Sequence, residues 1–174
     1  MIAWFLFGFM CAMVGIFAVA YAKFVTLQKA VKRAWLRLDI SLKNRQDLVP
    51  SVCLLAAGVE NLPKETSLQL QILREKTDAC PDIRQRMEYE QQISHTLREI
   101  FKAAYTDKNI AEQELLQHLC KGIISHEKRI QGCNKRYNNA ARDLNTLADI
   151  IPINLIAKAM EIKEAPYFDF HKSL

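Results

Sequence analysis

The chain opens with an apolar run, Met1–Ala22, that carries no charged side chain. As a helix it would rise roughly 33 Å at about 1.5 Å per residue, enough to cross a hydrocarbon core of about 30 Å. Trp4 and Tyr21 stand near its two ends and three phenylalanines fall by position 9, the placement expected of side chains at the two membrane interfaces. A cleaved export signal is the rival reading, because Ala18-Val19-Ala20 and Ala20-Tyr21-Ala22 both fit a small-residue cleavage site. No Lys or Arg precedes the run, and it is longer than a usual signal core, so the sequence favours an anchor. Gly8 with Ala12 and Ala18 with Ala22 form small-xxx-small steps that permit helix pairing, and with it a homo-oligomer.

Charge then points to an orientation. Lys23, Lys29, Lys32, Arg33, Arg37, Lys43 and Arg45 follow the run, opposed before Asp47 by Asp39 alone. The whole chain is +5, so the basic excess belongs to this flank and the remainder is close to neutral. A positive flank after the span predicts the N-terminus outside and the following domain in the cytoplasm. Lys23, Lys29, Lys32 and Arg33 are candidate contacts to anionic headgroups. Nucleic acid is an unsuitable partner, since it would need a basic face on the folded domain. Five cysteines with no CxxC pair write neither a disulfide framework nor a zinc ribbon.

The rest reads as helices. Leu27, Val31, Ala34, Leu38, Ser41, Arg45, Leu48, Val52, Leu55 and Val59 alternate in steps of four and three. So do Leu116, Leu119, Ile123, His126, Ile130, Cys133, Tyr137, Ala140, Leu144, Leu147 and Ile151. Each row marks one coiled-coil-like seam along a long helix. Two shorter helices lie between them. One spans about 65–79, with Leu68, Ile72 and Leu73 inward; the other spans about 82–105, with Met87, Ile93, Leu97, Ile100 and Phe101 inward. Asn61-Leu62-Pro63, Cys80-Pro81, Thr106–Asn109 and Pro152 supply the breaks. Pro81 suits a first helical position, Asp107 or Asn109 suits a cap, and Pro50 should kink the first seam helix. Helix lengths taken with alternating direction return the end of the fourth helix near the starting height. The expected fold is all-α: an N-terminal transmembrane helix continuing into an antiparallel up-down-up-down bundle of two long and two shorter helices. Its divisions are an anchor (1–22), a cytoplasmic bundle (23–152) and an amphipathic C-terminal segment (153–174).

That last segment carries two readings. Ile156, Tyr167 and Phe168, with lysines between, suit a membrane interface; the same residues would also serve as a cap folded onto the bundle. Polar residues in the seams need partners as well. Arg45 lies in the first seam, Glu90 on the inward face of the third bundle helix, and Asn138, Arg142 and Asn145 along the fourth. A buried arginine must be paired, so Arg45 is expected to meet Glu90 or the asparagine-rich ridge. Such a layer fixes helix register or forms a small binding groove. No HExxH, P-loop, GxSxG or paired ExxH motif occurs, so no catalytic residue, metal or cofactor is assigned.

Two stretches resemble the LemA family of bacterial membrane proteins. Ala34-Trp35 through Leu42-Lys43-Asn44-Arg45-Gln46-Asp47-Leu48-Val49-Pro50 is similar to that family's tryptophan, aspartate and "LKxRxDLIP" run. Glu127-Lys128-Arg129-Ile130, Arg136-Tyr137-Asn138-Asn139-Ala140, Arg142 and Asn145 form the second. It ends in Pro152-Ile153-Asn154-Leu155-Ile156 and Lys163-Glu164-Ala165-Pro166-Tyr167-Phe168, like the family's "PxNLIA" and "KxxPYF". The middle of the chain, around 68–115, departs from the pattern. The resemblance implies a single-pass membrane protein with a helical cytoplasmic domain and no defined reaction. Its motif residues include Arg45, Asp47, Asn138, Arg142 and Asn145, compatible with a structural layer or a shared binding surface. The functional expectation is a non-enzymatic scaffold facing membrane lipids and an unidentified protein partner. The alternative is a lipid-binding or membrane-shaping module.

Overall fold

The computed structural model describes residues 1–60, 62–107 and 113–170. Six helices follow in order: α1 (Ile2–Gln46), α2 (Val49–Ala57), α3 (Lys64–Ala79), α4 (Ile83–Thr106), α5 (Glu114–Asp149) and α6 (Asn154–Ala159). No strand occurs among the described residues. The expected turn residues Asn61, Lys108 and Asn109 lie outside them.

The helix ends follow local chemistry. Asp82 caps α4 by accepting from Arg84 N–H at 3.1 Å, so Pro81 precedes the cap rather than occupying the first turn. Asp107 ends α4 instead of starting the next helix, and its carboxylate accepts from Glu60 N–H at 3.2 Å. Pro50 does not kink a continuous helix. The chain breaks at Asp47–Leu48 and restarts at Val49, with Pro50 in the first turn of α2, where a missing N–H costs nothing. α6 was not legible in advance. It ends in a Schellman motif: Glu161 N–H bonds Lys158 C=O, Ile162 N–H bonds Ala157 C=O, and Glu161 takes φ 50°.

The chain forms two compact units. The first comprises Met1–Leu36 and Arg136–Tyr167. From Trp4 to Val19 nearly every side chain of α1 is exposed. This is the one described helix long and apolar enough to cross a membrane. Its next turns are covered: Ala20 and Phe24 are buried in a cluster with Leu144 and Leu147 of α5, Ile156 and Ala157 of α6, and Ala165. Farther along, Trp35 meets Tyr137 edge-on with ring centroids 5.5 Å apart.

The second unit comprises Arg37–Lys135 and Phe168–Leu174. Its core joins Val49, Val52 and Leu55 of α2, Leu70 and Leu73 of α3, Ile93, Leu97, Ile100 and Phe101 of α4, and Leu116, Leu119 and Ile123 of α5. The inward face of α3 differs from expectation. Leu70, Leu73 and Thr77 are buried, whereas Leu68 and Ile72 are exposed.

Candidate functional site

The polar layer forms in the second unit. Arg45, with no exposed surface, donates through Nη2 to Glu90 Oε2 at 2.7 Å and through Nη1 to Ser94 Oγ at 2.8 Å. Glu127 Oε1 lies 3.8 Å from the same Nη1. Ser94 Oγ donates in turn to the Glu90 carbonyl at 3.0 Å, and Gln46 Nε2 donates to Glu90 Oε1. The Phe170 ring lies over the guanidinium, 5.3 Å from centroid to Cζ, within cation–π range. Glu90 and Glu127 are each 2% exposed, so two carboxylates share one buried guanidinium. Burial raises the Glu90 carboxyl above its ordinary value, against the lowering pull of Arg45, Gln46 and the more distant Arg86. Arg86 itself pairs with Asp39.

These residues converge because they recur on one face of each helix. Arg45 and Gln46 end α1, and Glu90 and Ser94 stand one turn apart on α4. The pairing of Arg45 with Glu90 follows the first of the two expected alternatives. Glu127, Gln46 and Phe170 were missed. Glu127 falls one position beyond the His126 seam residue, Gln46 looks like a helix-end residue, and Phe170 lies in an aperiodic segment.

The other seam candidates go elsewhere. Asn145, in the first unit, holds Ala165 with both ends of its amide: Nδ2 donates to Ala165 O and Oδ1 accepts from Ala165 N–H, each at 2.9 Å. Tyr137 donates its hydroxyl to Pro166 O at 2.7 Å. Asn138 is half-buried in that unit and Arg142 is exposed. Asp47 is not in the layer. Its side chain is 71% exposed and lies 3.9 Å from Arg74, because the helix break at Asp47–Leu48 turns it outward.

The membrane-interface candidates also divide. Lys23, Lys29, Lys32, Arg33 and Tyr167 are exposed. Ile156 and Phe168 are not interfacial surface: they are buried, Ile156 against the α1–α5 cluster and Phe168 beside Phe170 in the second unit. Their apolar area is already removed from water by packing.

A groove of about 810 Å³ lies in the second unit and is lined mainly by Pro50, Cys53, Leu54, Ala57 and Leu62. Burial pushes the Cys53 and Cys120 thiols up, which keeps them protonated and poor nucleophiles.

A family model described as the LemA family matches residues 34–173. The chain belongs to the LemA family. No curated protein matches it. The contacts above join pieces of the LemA-like stretches to one another: Trp35 to Tyr137, Arg45 to Glu127, Tyr137 to Pro166, and Asn145 to Ala165.

Proposed function

We propose that this LemA protein is a non-enzymatic scaffold, anchored in the bacterial inner membrane by residues 1–22 and presenting a helical domain to a protein partner. One observation carries the reading. The LemA-like polar and aromatic residues Arg45, Tyr137 and Asn145 are engaged with the chain's own helices and C-terminal segment. A reaction would need such groups free to meet a substrate; a scaffold needs them fixed. The basic flank from Lys23 to Arg45 supports an N-terminus outside and the domain in the cytoplasm. On this reading the helices of 23–152 alternate in direction as an up-down-up-down bundle.

The test is quantitative crosslinking of the full-length chain in intact membranes. A reproducible partner in fixed stoichiometry, a second copy included, supports the scaffold. Random neighbours alone would overturn it. A lipid-binding role is the second reading, favoured by the exposed Lys23, Lys29, Lys32 and Arg33 beside the apolar span.

A further inference from the structure

One residue of the second seam departs from all the others. From Leu116 to Leu147 the seam is buried or half-buried, but Ile151 is 80% exposed. It lies in the turn between α5 and α6, flanked by the exposed Ile150 and Leu155. Three large aliphatic side chains are thus exposed between positions 150 and 155, a clustering that a water-facing surface usually avoids.

The position of that corner follows from register within the first unit. Trp35 of α1 meets Tyr137 of α5 edge-on, and both helices run on to the shared cluster at Phe24 and Leu147. They are therefore antiparallel there. Ile150 lies thirteen residues past Tyr137, and Ala22 lies thirteen residues before Trp35; each step is roughly 20 Å along its helix. Ile150 is thus level with Ala22, the last residue of the uncharged run. Ile151 stands in the turn that follows directly. The burial of Ala20 by this same cluster independently places protein beside the span's last turn.

We propose that Ile150, Ile151 and Leu155 form a wedge that enters the lipid interface beside the exit of the apolar helix. The proposal rests on residues 1–22 spanning the membrane and names lipid as the partner of this corner. The occupant is a bilayer surface because the patch shares its height with an exposed apolar span. Lys23 and Lys158, both exposed, flank it as headgroup contacts, while Asp149 stays at the polar boundary. The packing of Ile156 and Ala157 against Ala20 and Phe24 fixes the wedge to the span, so it needs no folding on contact.

The experiment uses the full-length chain in vesicles of phosphatidylethanolamine and phosphatidylglycerol that contain a phospholipid with a diazirine on its acyl chain. After photolysis, adducts are mapped by peptide mass spectrometry. The expected result is labelling of the 4–22 region and of 150–155, with the second signal lost in the Ile151→Asp/Leu155→Asp double variant while the first persists. Both substitutions are at exposed positions, and persistent labelling of 4–22 shows that the variant is still inserted. Labelling of 4–22 with none at 150–155 overturns the wedge and leaves the anchor standing. Labelling of neither region overturns the anchor and the wedge together.

Discussion

Replacing Arg45 with leucine tests the buried layer most directly. The variant removes the guanidinium that lies 2.7 Å from Glu90 and 3.8 Å from Glu127. It leaves two carboxylates at 2% exposure without their common cation. Breaking a buried ion pair from one side costs about 3–5 kcal/mol, a large part of a domain stability of about 5–15 kcal/mol. For a chain of this size that lowers the unfolding midpoint by roughly 6–20 °C. Thermal unfolding of the full-length protein in detergent, followed by circular dichroism, measures it. The Arg45→Leu/Glu90→Leu double variant should be more stable than Arg45→Leu, since removing both partners relieves one stranded charge. Recovery should be incomplete, because Glu127 still lacks its cation. An unchanged midpoint in Arg45→Leu would refute the buried pairing. A double variant that loses the sum of the two single losses would show that the residues do not interact.

Four further outcomes follow from the same contacts. Glu90 has a raised folded-state value, so its contribution to stability is complete below its unfolded value and is lost as pH rises through the folded one. Glu90→Gln should flatten the urea midpoint across that window, and an unaltered slope would count against the assignment. Phe168→Ala should cost about 3–5 kcal/mol in denaturant unfolding, because the ring is 1% exposed; no loss would return Phe168 to the surface. Asn145→Asp keeps the acceptor for Ala165 N–H but turns a carboxylate oxygen toward Ala165 O. It should destabilise by about 2 kcal/mol in the same assay, and neutrality would contradict the two-ended bond. Gly132→Ala meets nothing within 4 Å in the middle of α5 and should stabilise by about 1 kcal/mol from helix propensity, read as a raised urea midpoint.

Long-range periodicity carried most of the helical fold. All ten residues of the first seam, from Leu27 to Val59, are buried or half-buried, because a regular seven-residue repeat leaves one self-consistent face that persists across the break between α1 and α2. In α3 the pattern was ambiguous. Leu68 with Ile72 and Leu70 with Leu73 are both acceptable helical pairs, and contact with α2 and α4 selects the second. Pro50 showed that backbone geometry would change near the LemA-like run. Local sequence could not say whether the helix would bend or stop, since proline fits both a kink and a first turn.

The C-terminal segment explains why aperiodic sequence hid the rest of the site. From Lys163 to Phe170 the backbone has no regular structure, so its polar groups lack the partners a helix or sheet would provide. Helix side chains supply them instead: Asn145 takes both backbone groups of Ala165, Tyr137 takes Pro166 O, and Gln91 Nε2 donates to Asp169 O at 2.9 Å. An asparagine amide carries a donor and an acceptor side by side, so it can meet one residue's N–H and C=O as a neighbouring strand would. An asparagine beside the seam that looks like a register device in the sequence is therefore also a docking partner for a segment twenty residues later. Spacing alone reveals that Asn145 needs a partner; only the fold identifies that partner as Ala165 backbone.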